Sequence, residues 1–160
     1  MSLPASVELT LTRVFDAPRE LVFEAWIQPE HFRRWFGPYG ATIPYCQMEA
    51  RPGGTLHFLH KLEDGQEVWI KGRYEEVSKP EKLVFTIHFS DKEGNRVDRS
   101  GFSKESRSSV TFVEKGSQTE VIIRHTGLAV DQGESEGWKQ GLDRLVELLA
   151  KTTGEVHYAG

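Results

Sequence analysis

The stretch that decides the fold is DQGESEGWKQGLDRLVELLAK, Asp131 to Lys151. Trp138, Leu142, Leu145 and Leu149 recur at three- and four-residue spacing and form one apolar stripe, while Lys139, Asp143, Arg144 and Glu147 fall on the opposite side. Asp131 is placed to cap this helix, and Glu134 three residues on completes a capping-box-like pair. Such a stripe has to be covered, and the eighty-odd residues before it supply strands to cover it. The helix also carries Gly133, Gly137 and Gly141, four residues apart and therefore on one face beside the stripe. Glycine inside a helix costs about 1 kcal/mol relative to alanine, so something offsets it. Close packing on a sheet, a loosely formed first turn, or volume left open for a ligand would each do so.

Moving toward the N-terminus, the chain from about Ala41 to Thr126 reads as strands and turns. Val68-Trp69-Ile70 and Leu83 through Phe89 carry the β-branched and aromatic residues that strands favour. Val110–Val113 and Val121–His125, separated by Lys115-Gly116-Ser117, form a hairpin. Arg51-Pro52-Gly53-Gly54 and Asp64-Gly65 are further turn signals. The polar segment Ser90–Arg107 reads as a long exposed loop, with room for frayed strand ends. Ahead of the strands, Val7-Glu8-Leu9-Thr10-Leu11-Thr12 alternates like a half-buried strand. Asp16-Ala17-Pro18 then starts a short helix, Pro29 starts a second, and Gly37-Pro38 stops it. The order β-α-α, consecutive hairpins, long helix predicts an α+β fold with the helices on one face of an antiparallel sheet.

The 160 residues fit a single domain, with a core of about 7–151 and a frayed tail over 152–160. A chain of this length buries roughly 70% of its unfolded surface and needs no staple. A net charge of −4 and a pI near 5.9 provide no broad positive field, which argues against nucleic-acid binding. Cys46 is the only cysteine, so no internal disulfide forms, as suits a reducing cytoplasm. Met1-Ser2-Leu3-Pro4 does not begin a signal peptide, and no apolar run approaches the roughly 20 residues of a membrane span. A cytoplasmic location is expected.

The wording of the sequence then adds to its pattern. Phe15-Asp16-Ala17-Pro18, Trp35-Phe36-Gly37-Pro38, Arg51-Pro52-Gly53-Gly54 and Lys79-Pro80-Glu81-Lys82-Leu83-Val84-Phe85 come in that order. Thr119 through His125 follows, then Gly137-Trp138 with Leu142-Asp143-Arg144-Leu145. Together, over Val7 to Lys151, they resemble the activator of heat-shock-protein-90 ATPase homologue-like family, within the START/SRPBCC superfamily of helix-grip folds. The resemblance implies a curved antiparallel sheet of about six to seven strands gripping the C-terminal helix, with two short helices after the first strand. It implies no single activity. Relatives bind hydrophobic molecules, assist a chaperone, or act on polyketide-like substrates, and fold alone does not choose between them.

Strand alternation nominates the residues that face the helix. Leu56, Phe58, Ile70, Phe85, Ile87, Val110, Phe112, Val121 and Ile123 form the inward apolar set. With Trp138, Leu142 and Leu145 from the helix they would line either a filled core or a ligand cavity. His125 shares the register of Val121 and Ile123, which makes it the first choice for a polar group orienting a ligand. Tyr74 offers a second hydroxyl, although Glu75-Glu76-Val77 suggests a bulge beside it.

Three motifs are set aside. His57 and His60 are three residues apart on a strand and so point to opposite faces, which is wrong for one metal ion. Gly133-Glu134-Ser135-Glu136-Gly137 matches a nucleophile elbow by letters but lacks the strand that must run into it. Cys46 has no histidine or helix terminus beside it to activate its thiol. No metal or cofactor is expected. A binding module for a small hydrophobic molecule ranks first. A chaperone-assisting or other protein-interaction role ranks second, with Trp69 as the surface suspect if it faces outward. An enzyme ranks third, because it needs two converging polar groups and His125 is only one. A homodimer is compatible with the chain, but no residue argues for one.

Overall fold

The computed structural model describes residues 7–97, 105–128 and 134–159. The alternating N-terminal segment is strand β1 (Val7–Phe15). Helix α1 (Arg19–Ile27) begins after Pro18, and α2 (Pro29–Trp35) has Pro29 in its first turn, where the missing N–H has no partner to lose. Six strands follow: β2 (Thr42–Met48), β3 (Thr55–Lys61), β4 (Glu67–Ser78), β5 (Lys82–Ser90), β6 (Ser106–Lys115) and β7 (Gln118–Leu128). Helix α3 (Glu134–Ala159) completes the fold.

All seven strands join one antiparallel sheet in the order β1-β7-β6-β5-β4-β3-β2. From β2 to β7 each strand pairs with its successor in the sequence, while β1 crosses to the far edge and pairs with β7. This is the expected α+β helix-grip architecture. The α3 stripe of Trp138, Leu142, Leu145 and Leu149 is buried in one apolar cluster with Leu56, Phe58, Phe85, Val110, Phe112, Val121 and Ile123 from the sheet. The predicted bulge is present as a register shift between Tyr74 and Glu76.

Buried polar contacts fix the short helices. Trp35 Nε1 donates to the Ala25 carbonyl at 2.9 Å, locking α2 against α1. Thr119 Oγ1 donates to the Ala17 carbonyl at 2.7 Å and ties β7 to the start of α1. Trp26 meets Trp35 edge-on, with centroids 4.7 Å apart, and also contacts Phe112 and Trp138.

Three local expectations change. Helix α3 does not end near Lys151 but continues to Ala159, because Thr152–Ala159 contains no proline to interrupt the backbone bonds even though the apolar stripe has stopped. Arg144 does not look outward: its long side chain turns back, half-buried, to the α2–β2 link. The segment after β5 is not all open loop. Asp91 Oδ1 accepts from the Asn95 backbone N–H at 2.8 Å in a tight turn, and Ser90 bridges Arg96. Asp131 and Gly133, the proposed cap and the first of the spaced glycines, lie outside the described residues.

Candidate functional site

Between α3, the α2–β2 link and the central strands lies a partly open cavity of about 230 Å³. Trp35, Phe36, Gly37 and Pro38 wall it on the link side, and Gly137, Trp138 and Gly141 on the helix side. The sheet contributes His60, Ile70, Ile87, His88, Phe89, Ser106 and His125. The volume is slightly below the roughly 300–1,000 Å³ of pockets for drug-sized ligands, and the lining shares their largely apolar character.

The two described glycines of the α3 series do different things here. A Cβ built on Gly141 would touch Gly37 N at 3.3 Å and Trp35 O at 3.4 Å, so this glycine permits close packing of the helix on the link. A Cβ built on Gly137 meets nothing within 4 Å, so this glycine leaves space open. Of the three reasons offered for glycine in this helix, close packing applies at Gly141, against the link rather than the sheet, and open volume applies one turn earlier at Gly137.

The link is held from both sides. Arg144 donates from Nη1 to the carbonyls of Gly37 and Pro38, at 3.2 and 2.9 Å, and from Nη2 to that of Arg34 at 3.0 Å. These oxygens stand at the C-terminal end of α2, where helix carbonyls lack partners and a cation is favoured. The Tyr39 backbone N–H donates to Gln140 Oε1 at 2.9 Å. From the sheet, His60 Nε2 lies 3.1 Å from the Phe36 carbonyl. A carbonyl only accepts, so Nε2 carries the proton. Burial lowers the pKa of His60, opposed by the hydrogen bond to Phe36 and helped by the smaller effect of the Arg144 charge. Gly37 has φ +106°, and a Cβ there would collide with the His60 ring. The link needs glycine at this position on both counts.

On β7, His125 is buried, with Nδ1 2.8 Å from Ser108 Oγ on the neighbouring strand. Its ring meets Trp138 edge-on at 5.7 Å. The imidazole therefore stands on the cavity wall with a fixed orientation.

Residues 16–151 match the family model described as Activator of Hsp90 ATPase homolog 1-like protein. The chain belongs to this family. Solved structures share its fold. A Chromobacterium violaceum protein superposes with a TM-score of 0.77 at 26% identity, covering 88% of this chain and 95% of its own. The AHSA1 protein of Silicibacter pomeroyi gives 0.76 at 24% identity, over 91% and 99%. A protein from Arthrobacter aurescens gives 0.79 at 19% identity, over 94% and 93%. No curated protein matches.

In this family member the nominated residues divide into three groups. Ile70, Ile87, His125 and Trp138 line the cavity. Leu56, Phe58, Tyr74 and Phe85, again with Ile87, line a second, smaller void of about 10 Å³ farther inside. Phe112, Ile123, Leu142 and Leu145 are buried in the packed core and border neither space. Sequence reasoning missed His60, the Trp35–Pro38 link, His88, Phe89 and Ser106. For His60 the signal was available, since it shares strand parity with Leu56 and Phe58.

His57 lies on the outer face instead, its ring 5.1 Å from that of Trp69 and 5.8 Å from that of Tyr45. The two histidines thus occupy opposite faces, and among the described residues no group of three His, Cys, Asp or Glu side chains is placed to hold a metal. Cys46 is partly buried, and burial pushes its thiol up to about 11. Among the described residues no helix is long and apolar enough to cross a membrane.

Proposed function

We propose that the chain, acting as one domain, binds a small hydrophobic molecule in the cavity between sheet and α3. The observation that carries this is the open volume beside Gly137, enclosed by Trp35, Phe36, Ile70, Ile87, Phe89 and Trp138. Each Å² of apolar ligand surface taken from water there contributes about 25 cal/mol. His125, held by Ser108, would orient the ligand. A cytoplasmic setting rests on the single cysteine.

Protein docking has one observation behind it. Trp69 does face outward, beside Tyr45, which is 43% exposed. The neighbouring His57 and Leu59 are only 9% and 8% exposed, however, so the patch is small for a docking face.

The test is titration with the neutral fluorophore N-phenylnaphthylamine. Wild-type protein should enhance its emission saturably. Gly137→Leu, which projects a side chain into the open volume, should weaken binding at least roughly tenfold, about 1.4 kcal/mol, without loss of fold. Equal binding by both proteins would exclude this cavity as the site.

A further inference from the structure

Among the described residues three buried side-chain polar atoms have no hydrogen-bond partner, Arg19 Nε, Trp26 Nε1 and the Tyr74 hydroxyl, and the last two border the same space. The Tyr74 hydroxyl and Trp26 Nε1 are both unpaired, and each residue is 1% exposed. Folded proteins pair nearly all such groups, since an orphan retains its full desolvation penalty. Both residues line the inner void of about 10 Å³, which shares Phe36 and Ile87 as walls with the larger cavity.

The chemistry of the two groups is one-sided. An indole N–H only donates. Burial raises the pKa of the Tyr74 phenol, so it keeps its proton and remains a donor. The other walls, among them Phe32, Leu56, Phe58 and Leu83, are apolar, with Met48 sulfur as the one weak acceptor. No cation lines the void, so a carboxylate or phosphate would be buried without a counter-charge. A neutral carbonyl oxygen has two lone pairs to offer two donors and brings no charge to bury.

We propose that the inner void is the head-group subsite of the cavity, and that the ligand is an apolar molecule ending in a neutral carbonyl, such as a ketone, quinone, ester or amide. The carbonyl passes between Phe36 and Ile87 and accepts from the Tyr74 hydroxyl and the Trp26 N–H, while the apolar remainder fills the larger cavity. This rests on the ligand-binding function proposed above and assigns the chemical class of the ligand.

The test uses acetophenone and α-methylstyrene, which have nearly the same shape and differ in C=O against C=CH2. Each competes with N-phenylnaphthylamine on wild-type protein and on Tyr74→Phe. Wild type should prefer the ketone by roughly tenfold. Tyr74→Phe should lose most of that preference and bind α-methylstyrene as before. Equal affinities in wild type, or a preference that survives Tyr74→Phe, would overturn the carbonyl subsite while leaving hydrophobic binding intact. Failure of both compounds to displace the fluorophore, or of the fluorophore to bind at all, would remove the ligand-binding function and the subsite with it. A resident water is the remaining alternative and has its own readout. Removing a truly unpaired hydroxyl should raise the Tm of ligand-free Tyr74→Phe by about 2–4 °C. A fall in Tm would mean that a trapped water already satisfies the group, and would overturn the proposal.

Discussion

The two halves of α3 lie against one sheet and finish differently. Around Leu142, Leu145 and Leu149 the helix fills the space over Phe112, Val121 and Ile123, and every one of these side chains is buried. One to two turns earlier, at Gly137, the same sheet and the same helix enclose a cavity. Inward strand residues occur at both ends, so the sheet's alternation does not distinguish solid from hollow. The difference is made by side-chain length on the helix and by how firmly the opposite wall is fixed. Leucines close one half. In the other, Arg144 and His60 bind the carbonyls of the link and hold the Trp35–Pro38 wall in place.

The contrast can be broken most severely in the solid half. Leu145→Ala should lower unfolding free energy by about 2–5 kcal/mol in urea denaturation, because tight surroundings cannot collapse onto the missing atoms. A loss under 1 kcal/mol would show that this half is as loosely filled as the other.

Gly37→Ala attacks the hollow half through its wall. Its Cβ would meet the His60 ring, and φ +106° is strained for alanine. A loss of about 1–3 kcal/mol is expected, together with a shifted His60 resonance in NMR spectra. An unshifted resonance would mean that the link moves and the histidine does not.

A smaller effect comes from pH. Burial holds the pKa of His60 below its ordinary 6.5 in the folded protein. As pH falls below about 6.5 the unfolded chain takes up a proton that the folded one refuses, so stability declines and then levels once the folded pKa is passed. The slope should not exceed about 1.4 kcal/mol per pH unit for one group. His60→Gln, which can still donate to Phe36, should flatten this part of the profile, and an unchanged slope would assign it to another residue.

Much of this architecture was legible in the sequence because periodicity records which side of an element is buried. The stripe from Trp138 to Leu149, the inward parity of Val121, Ile123 and His125, and the bulge beside Tyr74 all follow from spacing. His60 was legible by the same parity, although its spacing from His57 first suggests a metal pair. Arg144 was not, since a helical wheel locates a Cα and says nothing of where a long side chain carries its charge. The cavity itself could not be read either. Gly137 and Gly141 look alike in the sequence, and only the distance to the Trp35–Gly37 backbone makes one a packing contact and the other an opening.

The crossing of β1 to the far edge of the sheet sets an order of events during synthesis. Among the described residues its strand partner is β7, with Phe15 opposite Thr119 and Val7 opposite Leu128. β1 thus leaves the ribosome before the other six strands of this sheet and is the last of the seven to find its place. The hairpins from β2 to β7 can zip locally as they emerge, each next to its neighbour, whereas closing β1 onto β7 brings together segments separated by nearly the whole chain, the kind of pairing that slows folding. The Arg13–Asp143 ion pair between β1 and α3, at 2.8 Å, belongs to the same late step. Until then the outer edge of β7 stands unpaired and open to another chain, so the growing protein is most exposed to misassembly just before its final strand locks in.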